Sequence, residues 1–415
     1  MESARQVCPA TWGGVATADV EVVPLTGGIT NVLFKLTLRN RPKETPLIVR
    51  LFGQGTELFV DRQRENIIFR ELSLLGIGSP PFHGLFENGR VEGFLDARSI
   101  KPEEMHEALI YPRVATALGR FHAVGPRLSG AVDTQPVLFP KLEAFFDLAQ
   151  SVSFDKDAKK NSLFEALRLP EVRAGLLAQL ARQHEERASS ALAQFQALPA
   201  DAPLLSEGEE VVSALSAAVL ATQSVLCHND LLSGNILLSN DSALLQESSK
   251  EGVTLIDFEY AGFNPRAYDL ANHFNEFAGF DFDIENRFPP QALRFAYLTH
   301  YLDAASASSS PHAASEQQQL GDVHRTAAGL ILEKWGEHRQ RQGAGAGAGA
   351  GLEGPCLALV SALDRIVLQY LPASHVFWAT WSVVQAANST IDFDFIAYSK
   401  MRLDAVAFHK SLFSI

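Results

Sequence analysis

A histidine, an aspartate and an asparagine stand at fixed intervals in the stretch VLCHNDLLSGNILL, residues 225–238. His228 follows an apolar run, Asp230 comes two positions later, and Asn235 stands five positions after the Asp, ahead of a second apolar run. A loop of the form H-x-D-x-x-x-x-N between two short strands suits phosphoryl transfer. There a carboxylate accepts the proton of a substrate hydroxyl and an amide oxygen holds a metal ion. His228, Asp230 and Asn235 are the catalytic candidates. The bland alternative is a turn in which Asp230 and Asn235 satisfy local backbone groups. The next apolar run weighs against it, because residues 253–256 lead into Asp257 and Glu259 in VTLIDFEY. A second metal-binding Asp one β-hairpin after the catalytic loop belongs to the same chemistry. Asn235, Asp257 and Glu259 are therefore the candidate metal ligands. With Asp230 they form an acidic cluster that would be costly without a divalent cation.

Other elements must position these groups. Residues 1–105 are strand-rich in pattern: runs at 20–25 and 31–38 flank a glycine turn, a third covers 46–52, and two shorter ones at 81–86 and 90–95 are separated by Asn88-Gly89. Residues 61–75 carry apolar side chains at 67, 68, 72 and 75, which predicts an amphipathic helix with Asp61 as its N-cap. In the glycine turn, the backbone amides of Gly27, Gly28 and Ile29 and the side chains of Thr30 and Asn31 suit nucleotide phosphates. A plain hairpin turn accounts for the same residues equally well. Arg50, in the strand LIVR, stands where a protein kinase carries its phosphate-contacting Lys, and Glu65 on the following helix is its expected ion-pair partner.

After residue 101 the pattern turns helical, with long stretches at 103–124, 171–198, 207–222 and from 290 onward. The expected fold class is α+β and bilobal, like a protein kinase: a small β-rich nucleotide-binding lobe over 1–101 and a large, mostly helical lobe over 102–415. Stretches 239–252, 304–319 and the Gly-Ala tract 343–351 are small, polar or repetitive, and are expected to be surface insertions.

Composition narrows the function further. The chain has 415 residues, 47% of them hydrophobic, and a formal charge of −13, so it can bury a large core and lacks the basic footprint of a nucleic-acid binder. Its three cysteines, Cys8, Cys227 and Cys356, are too scattered for a disulfide framework, which points to a reducing compartment. No signal peptide is apparent, and the apolar run near 211–221 is about half the ~20 residues of a membrane span. A cytoplasmic protein without stable membrane insertion is expected.

The stretch CHNDLLSGNI…LIDFEYAGFNPRAYDLANHFNEFAGFD (227–281) resembles the long signature of the choline/ethanolamine kinase family, including Asn264, Asp269 and Glu276. SHVFWATWSVVQAANSTIDFDFIAYS (374–399) is similar to the family's C-terminal FWxxW segment, and GITNVLF, IVRLFG and TELFVDR resemble its N-terminal lobe. The resemblance implies ATP and Mg²⁺ as cofactors, Asp230 as base, Asn235 and Asp257 as metal ligands, and Arg50 with the loop 27–31 on the ATP phosphates. It further implies an amino-alcohol pocket walled by Tyr260, Trp378, Trp381, Phe393 and Tyr398, with Glu276 facing the ammonium. An ammonium is held well by aromatic faces and a carboxylate. The bland account of Trp378 and Trp381 is helix core, since their spacing puts both on one face.

Choline kinases resemble HNDCQEGN and HFCEWMYDY where this chain reads HNDLLSGN and HFNEFAGF. The thinner aromatic set suits a primary ammonium, whose three N–H donors benefit from Glu276 and from Asp281. TELFVDR is also closer to the family's ethanolamine branch. The expected activity is transfer of the ATP γ-phosphate to ethanolamine, giving phosphoethanolamine, the first step of the CDP-ethanolamine route to phosphatidylethanolamine. The alternatives are a choline or dual kinase, a kinase for another hydroxyl substrate such as an aminoglycoside, and an inactive scaffold. Family members are often dimers, so a homodimer is open. Gly93, in RVEGFLDARS, departs from the family's usual Glu at the hinge.

Overall fold

The computed structural model describes the whole chain except residues 26–30, 54–59, 129–130, 156, 200–201, 203, 206–209, 247–248, 250, 309–322, 342–352, 390 and 414–415. Gly27, Gly28, Ile29 and Thr30 therefore lie outside the described residues, as do the Gly-Ala tract and most of 304–319. The chain divides into two units, one of residues 1–99 and 235–260, the other of 100–234 and 261–415. The second segment, 235–260, joins the first unit, whereas the sequence pattern had assigned it to the helical lobe.

In the first unit, β1 (Val20–Leu25), β2 (Asn31–Leu38), β3 (Leu47–Phe52), β4 (Phe82–Phe86) and β5 (Gly89–Gly93) form an antiparallel sheet of order β1-β2-β3-β5-β4. Alternation along these strands delivers Val20, Leu36, Leu38, Leu47, Val49 and Val91 to one core, which Ala4, Trp12 and Val15 complete. The helices Glu2–Val7 and Pro9–Trp12 that carry two of those residues are too short to show a period in sequence. The expected helix is Arg62–Leu75, and Asp61 caps it by accepting the Arg64 N–H at 3.0 Å. It buries Glu65, Ile68, Phe69 and Leu72, one face at i, i+3, i+4 and i+7. Gly93 closes β5 and donates to the Pro81 carbonyl at 2.8 Å. A Cβ there would lie 2.9 Å from the Pro81 ring, so close packing against this proline accounts for a glycine at the hinge.

A second, three-stranded sheet in the same unit joins Ala97–Ser99, Ile236–Ser239 and Val253–Leu255 in that order. Ile236 pairs with Leu255, and the Ile256 N–H bonds the Asn235 carbonyl at 3.0 Å. The register thus sets Asn235 beside the end of the strand that leads into Asp257.

The second unit is built on helices. Tyr111–Ala123 packs on Gln291–Ser308; a Cβ on Gly119 would lie 2.5 Å from the Tyr301 carbonyl oxygen, so only glycine permits this approach. Residues 304–308, expected to open an insertion, continue that helix, with Ala304 and Ala305 buried. Their small side chains are what the close helix contact requires. All eleven residues of Arg266–Glu276 are buried, which makes this helix the centre of the unit. A longer apolar helical stretch than 211–221 emerges at Gly354–Asn388, long and apolar enough to cross a membrane, with 67% of its most apolar window buried. It is broken into Gly354–Leu368 and Leu371–Asn388, the second opening with Pro372.

Several histidines are buried in this unit, among them His273, His375 and His409. Burial pushes His273 and His409 down to about 4, and drives His375 well below its ordinary 6.5. Between these values and 6.5 the unfolded chain binds more protons than the folded one, so stability falls as pH falls through that window. The unfolding free energy from urea titration is expected to drop between pH 7 and pH 5 by roughly 1–2 kcal/mol per histidine, and the midpoint with it. A midpoint that stays flat over this range would contradict the neutral burial of these rings.

Candidate active site

The H-x-D loop follows a two-stranded ribbon, Ser224–Cys227 paired antiparallel with Gly262–Pro265. Asn229 takes a left-handed conformation, φ 65°, which a short polar side chain tolerates. Asp269, from the central helix, clamps the turn: its Oδ2 accepts the His228 N–H at 2.8 Å and its Oδ1 the Asn229 N–H at 2.7 Å. Burial alone would raise this carboxyl. The His122 side chain, 2.9 Å from Oδ2, and the His228 amide outweigh it and hold Asp269 below the usual carboxylate range.

Further anchors come from both sides of the loop. Asn264 donates to Asn229 Oδ1 at 2.8 Å and accepts from the Val137 and Leu138 amides that begin the Leu138–Gln150 helix. Asn272 donates to the Asn229 carbonyl at 3.3 Å, and His273 Nδ1 bonds the Leu231 carbonyl at 2.8 Å. Asp269, Asn272, His273 and Glu276 lie at i, i+3, i+4 and i+7, so one helical stripe serves the loop and the residues beyond it. Sequence reasoning missed Asn229, Asn272 and His273. The helical spacing of polar residues in an otherwise apolar stretch was the available signal.

Asp230 is half-buried at the end of this turn, whereas His228 is fully buried with its ring 6.0 Å from Phe121. His122, Cys227 and Asp269 offer ligand atoms within 4.8 Å of one another. Asp269 already accepts three N–H groups, and both His122 nitrogens are engaged, Nδ1 with the Tyr301 hydroxyl at 2.6 Å. That cluster is a hydrogen-bond network, not a metal site.

The first unit holds the second group of candidates. Asp257 also has a left-handed backbone, φ 66°, and its Oδ1 accepts from Arg50 Nη1 at 3.2 Å. Arg50 and Arg90 face each other across β3 and β5. Two guanidinium groups tolerate that position because Glu92 Oε1 accepts from both, at 2.8 and 2.6 Å. Burial opposes the charge of Arg50, but Glu92 and then Asp257 outweigh it and raise its pKa. The expected Arg50–Glu65 ion pair is therefore corrected: Glu65 bonds Arg90 at 2.6 Å and Arg62 at 2.7 Å, and Glu92 is the carboxylate paired with Arg50. Strand register, which puts residue 92 within reach of both arginines, decides this. Glu259 lies 3.5 Å from Arg62 Nη1, and its Oε2 accepts from Asn31 at 3.4 Å. Tyr260 is buried in the adjoining turn Phe258–Tyr260.

Within the second unit the predicted rings Trp378, Trp381, Phe393 and Tyr398 join in one chain of contacts through Phe395, which sequence reasoning missed. Trp378 meets Trp381 edge-on at 5.5 Å, Trp381 meets Phe395 at 6.0 Å, Phe395 meets Phe393 at 4.9 Å, and Phe393 meets Tyr398 at 5.6 Å. Trp378 Nε1 donates to Asn272 Oδ1 at 2.8 Å, tying this wall to the helix that clamps the H-x-D loop. Glu276 ends that helix, and its Oε1 accepts from Arg402 at 2.6 Å. Asp281 goes elsewhere: its carboxylate bonds Arg287 at 2.6 Å and is 62% exposed. Asp281 is thus corrected as an ammonium acceptor, because an intervening left-handed Gly279 (φ 71°) turns the chain toward Arg287.

The sequence model of the Choline/ethanolamine kinase family matches residues 22–407. Relatives include a probable ethanolamine kinase of Arabidopsis thaliana, 28% identical over 97% of this chain and 82% of its own length. A probable choline kinase 2 of the same plant is 26% identical over 97% of this chain and 90% of its own. Among solved structures, an ethanolamine kinase of Plasmodium vivax superposes with a TM-score of 0.64 over 97% of this chain and 85% of that one, at 22% identity, which shows a shared fold. The α+β class expected from sequence, β-rich first and helical after, is the one observed. With a motif set at 228–260 and a family match across nearly its whole length, the chain belongs to the choline/ethanolamine kinase family.

Proposed function

We propose that the protein is an ATP-dependent ethanolamine kinase that moves the γ-phosphate to the ethanolamine hydroxyl. The observation that carries this is Glu276, a buried carboxylate joined through Arg402 to Tyr398, the last ring of an aromatic wall. A carboxylate with aromatic faces takes a small ammonium, and a primary ammonium supplies three N–H donors to it. The relatives named ethanolamine kinase support the same substrate. Choline is the weaker second substrate, since a quaternary ammonium keeps the attraction of the rings and the carboxylate charge but has no N–H to give.

Asp230 orients the hydroxyl and takes its proton, at a half-buried position on a loop whose backbone is held from several sides. His228 holds that loop from within the core. Asn235 and Asp257 offer an amide oxygen and a carboxylate, hard donors of the kind Mg²⁺ takes, and Arg50 engages only one Asp257 oxygen. Glu259 is more committed to Arg62 and Asn31 and joins them as a weaker donor. These residues would hold Mg²⁺, which would supply charge neutralisation to the transferring phosphate. Arg50 and Asn31 are the described residues that would take the ATP phosphates, a role the sequence extends to Gly27, Gly28, Ile29 and Thr30, and Glu65 steadies the arginine network through Arg90. The reading places the enzyme in the cytosol, with Cys8, Cys227 and Cys356 all free.

The test is kcat/KM for ethanolamine, N-methylated ethanolamines, choline and kanamycin on one preparation. Ethanolamine should rank first, and choline ahead of it by more than about tenfold would defeat the assignment.

A further inference from the structure

Glu276 is not a bare charge. Arg402 lies one turn after Tyr398 on the Phe395–Phe413 helix and is 1% exposed. Its Nη2 donates to Glu276 Oε1 at 2.6 Å and to the Tyr398 hydroxyl at 2.5 Å, and its Nε donates to the same hydroxyl at 2.9 Å. The guanidinium carbon stands 5.0 Å from the Phe282 ring centre and 5.1 Å from that of Tyr398. The remaining nitrogen, Nη1, is buried with no hydrogen-bond partner.

Stability alone does not account for this residue. A buried guanidinium with an unmet donor is costly, and apolar replacements of buried ion pairs are often neutral or stabilising. A cation beside a site for an ammonium is also unfavourable in simple Coulomb terms. What Arg402 does supply is order. Glu276 is the last residue of its helix, and a flexible carboxylate there would lose entropy on taking a ligand. Fixing Oε1 settles the carboxylate plane and leaves Oε2 for a ligand. Two N–H donors on the Tyr398 oxygen fix that hydroxyl in the same way and turn its own proton outward.

We propose that Arg402 is a positioning residue for the substrate ammonium, holding Glu276 and Tyr398 in the one arrangement that receives it. The inference rests on the amino-alcohol kinase reading above. It is tested with Arg402→Gln, Arg402→Lys, Glu276→Gln and the double variant Glu276→Gln/Arg402→Gln, measuring KM for the amino alcohol and for ATP separately. Arg402→Gln should raise the amino-alcohol KM by about tenfold or more with the ATP KM within about twofold, and Arg402→Lys should recover part of the loss. In the Glu276→Gln background, Arg402→Gln should add less than about twofold, because the ammonium-binding charge that Arg402 orients is already gone.

Equal rises in both KM values, or losses that multiply fully in the double variant, would overturn the positioning role and leave general damage as the cause. If Arg402→Gln does not fold, Arg402→Lys decides: the amino-alcohol KM must rise alone. An active wild type whose amino-alcohol KM ignores these substitutions overturns this inference only. A wild type that phosphorylates neither ethanolamine nor choline overturns the functional reading, and this inference with it.

Discussion

Asp230→Ala is expected to lower kcat by about a thousandfold, within the 10²–10⁴ range of a lost proton acceptor, while the unfolding midpoint stays near wild type. The loop that carries Asp230 is anchored through other residues: Asp269 holds the amides of His228 and Asn229, Asn264 holds the Asn229 side chain, and Asn272 holds its carbonyl. On the proposed mechanism, removing the Asp230 carboxylate removes the proton acceptor while these anchors of the loop stay in place. On the proposed mechanism Asp257→Ala should be as damaging by another route, since it removes the carboxylate assigned to the metal and the Arg50 contact made by Asp257. Its signature is a raised Mg²⁺ requirement, which Asp230→Ala should not show. Turnover within a few-fold of wild type in either variant would exclude the phosphotransfer roles given to these residues.

Asp269→Asn should cost about 3–5 kcal/mol of stability, the scale for removing one partner from a buried charged network. The asparagine keeps the volume but replaces one acceptor oxygen by an NH₂ group. Three N–H donors now converge on that carboxylate, from His228, Asn229 and His122, so at least one donor would face another donor in the core. The loss should appear in the urea midpoint, and kcat should fall with it because the Asp230 turn is no longer clamped. An Asp269→Asn protein of normal midpoint and normal kcat would show that the turn holds itself.

Much of the local architecture was legible in the residues. The Asp61 cap, the Arg62–Leu75 helix and the strands on either side of the glycine turn follow from periodicity and end chemistry, which are short-range properties. The phosphotransfer motif was legible for the same reason, because Asp230 and Asn235 sit on one loop and Asp257 follows one β-hairpin later. The N-terminal helices were not, being six and four residues long. Nor was the continuation of Gln291–Ser308 through 304–308, where alanine and serine serve a close helix contact that composition alone presents as padding.

The identity of the chemistry was written in residue types and spacings within single loops and strands, where a few covalent links hold the groups in range. The pairing of charges was decided by the folded structure. Arg50 meets Glu92, not Glu65, because β3 and β5 lie in register. Glu276 meets Arg402 across 126 positions, while Asp281, five residues on, turns to Arg287. A charge has no preferred partner along the chain. It takes the one that packing brings within about 3 Å, where burial makes an unpaired choice costly.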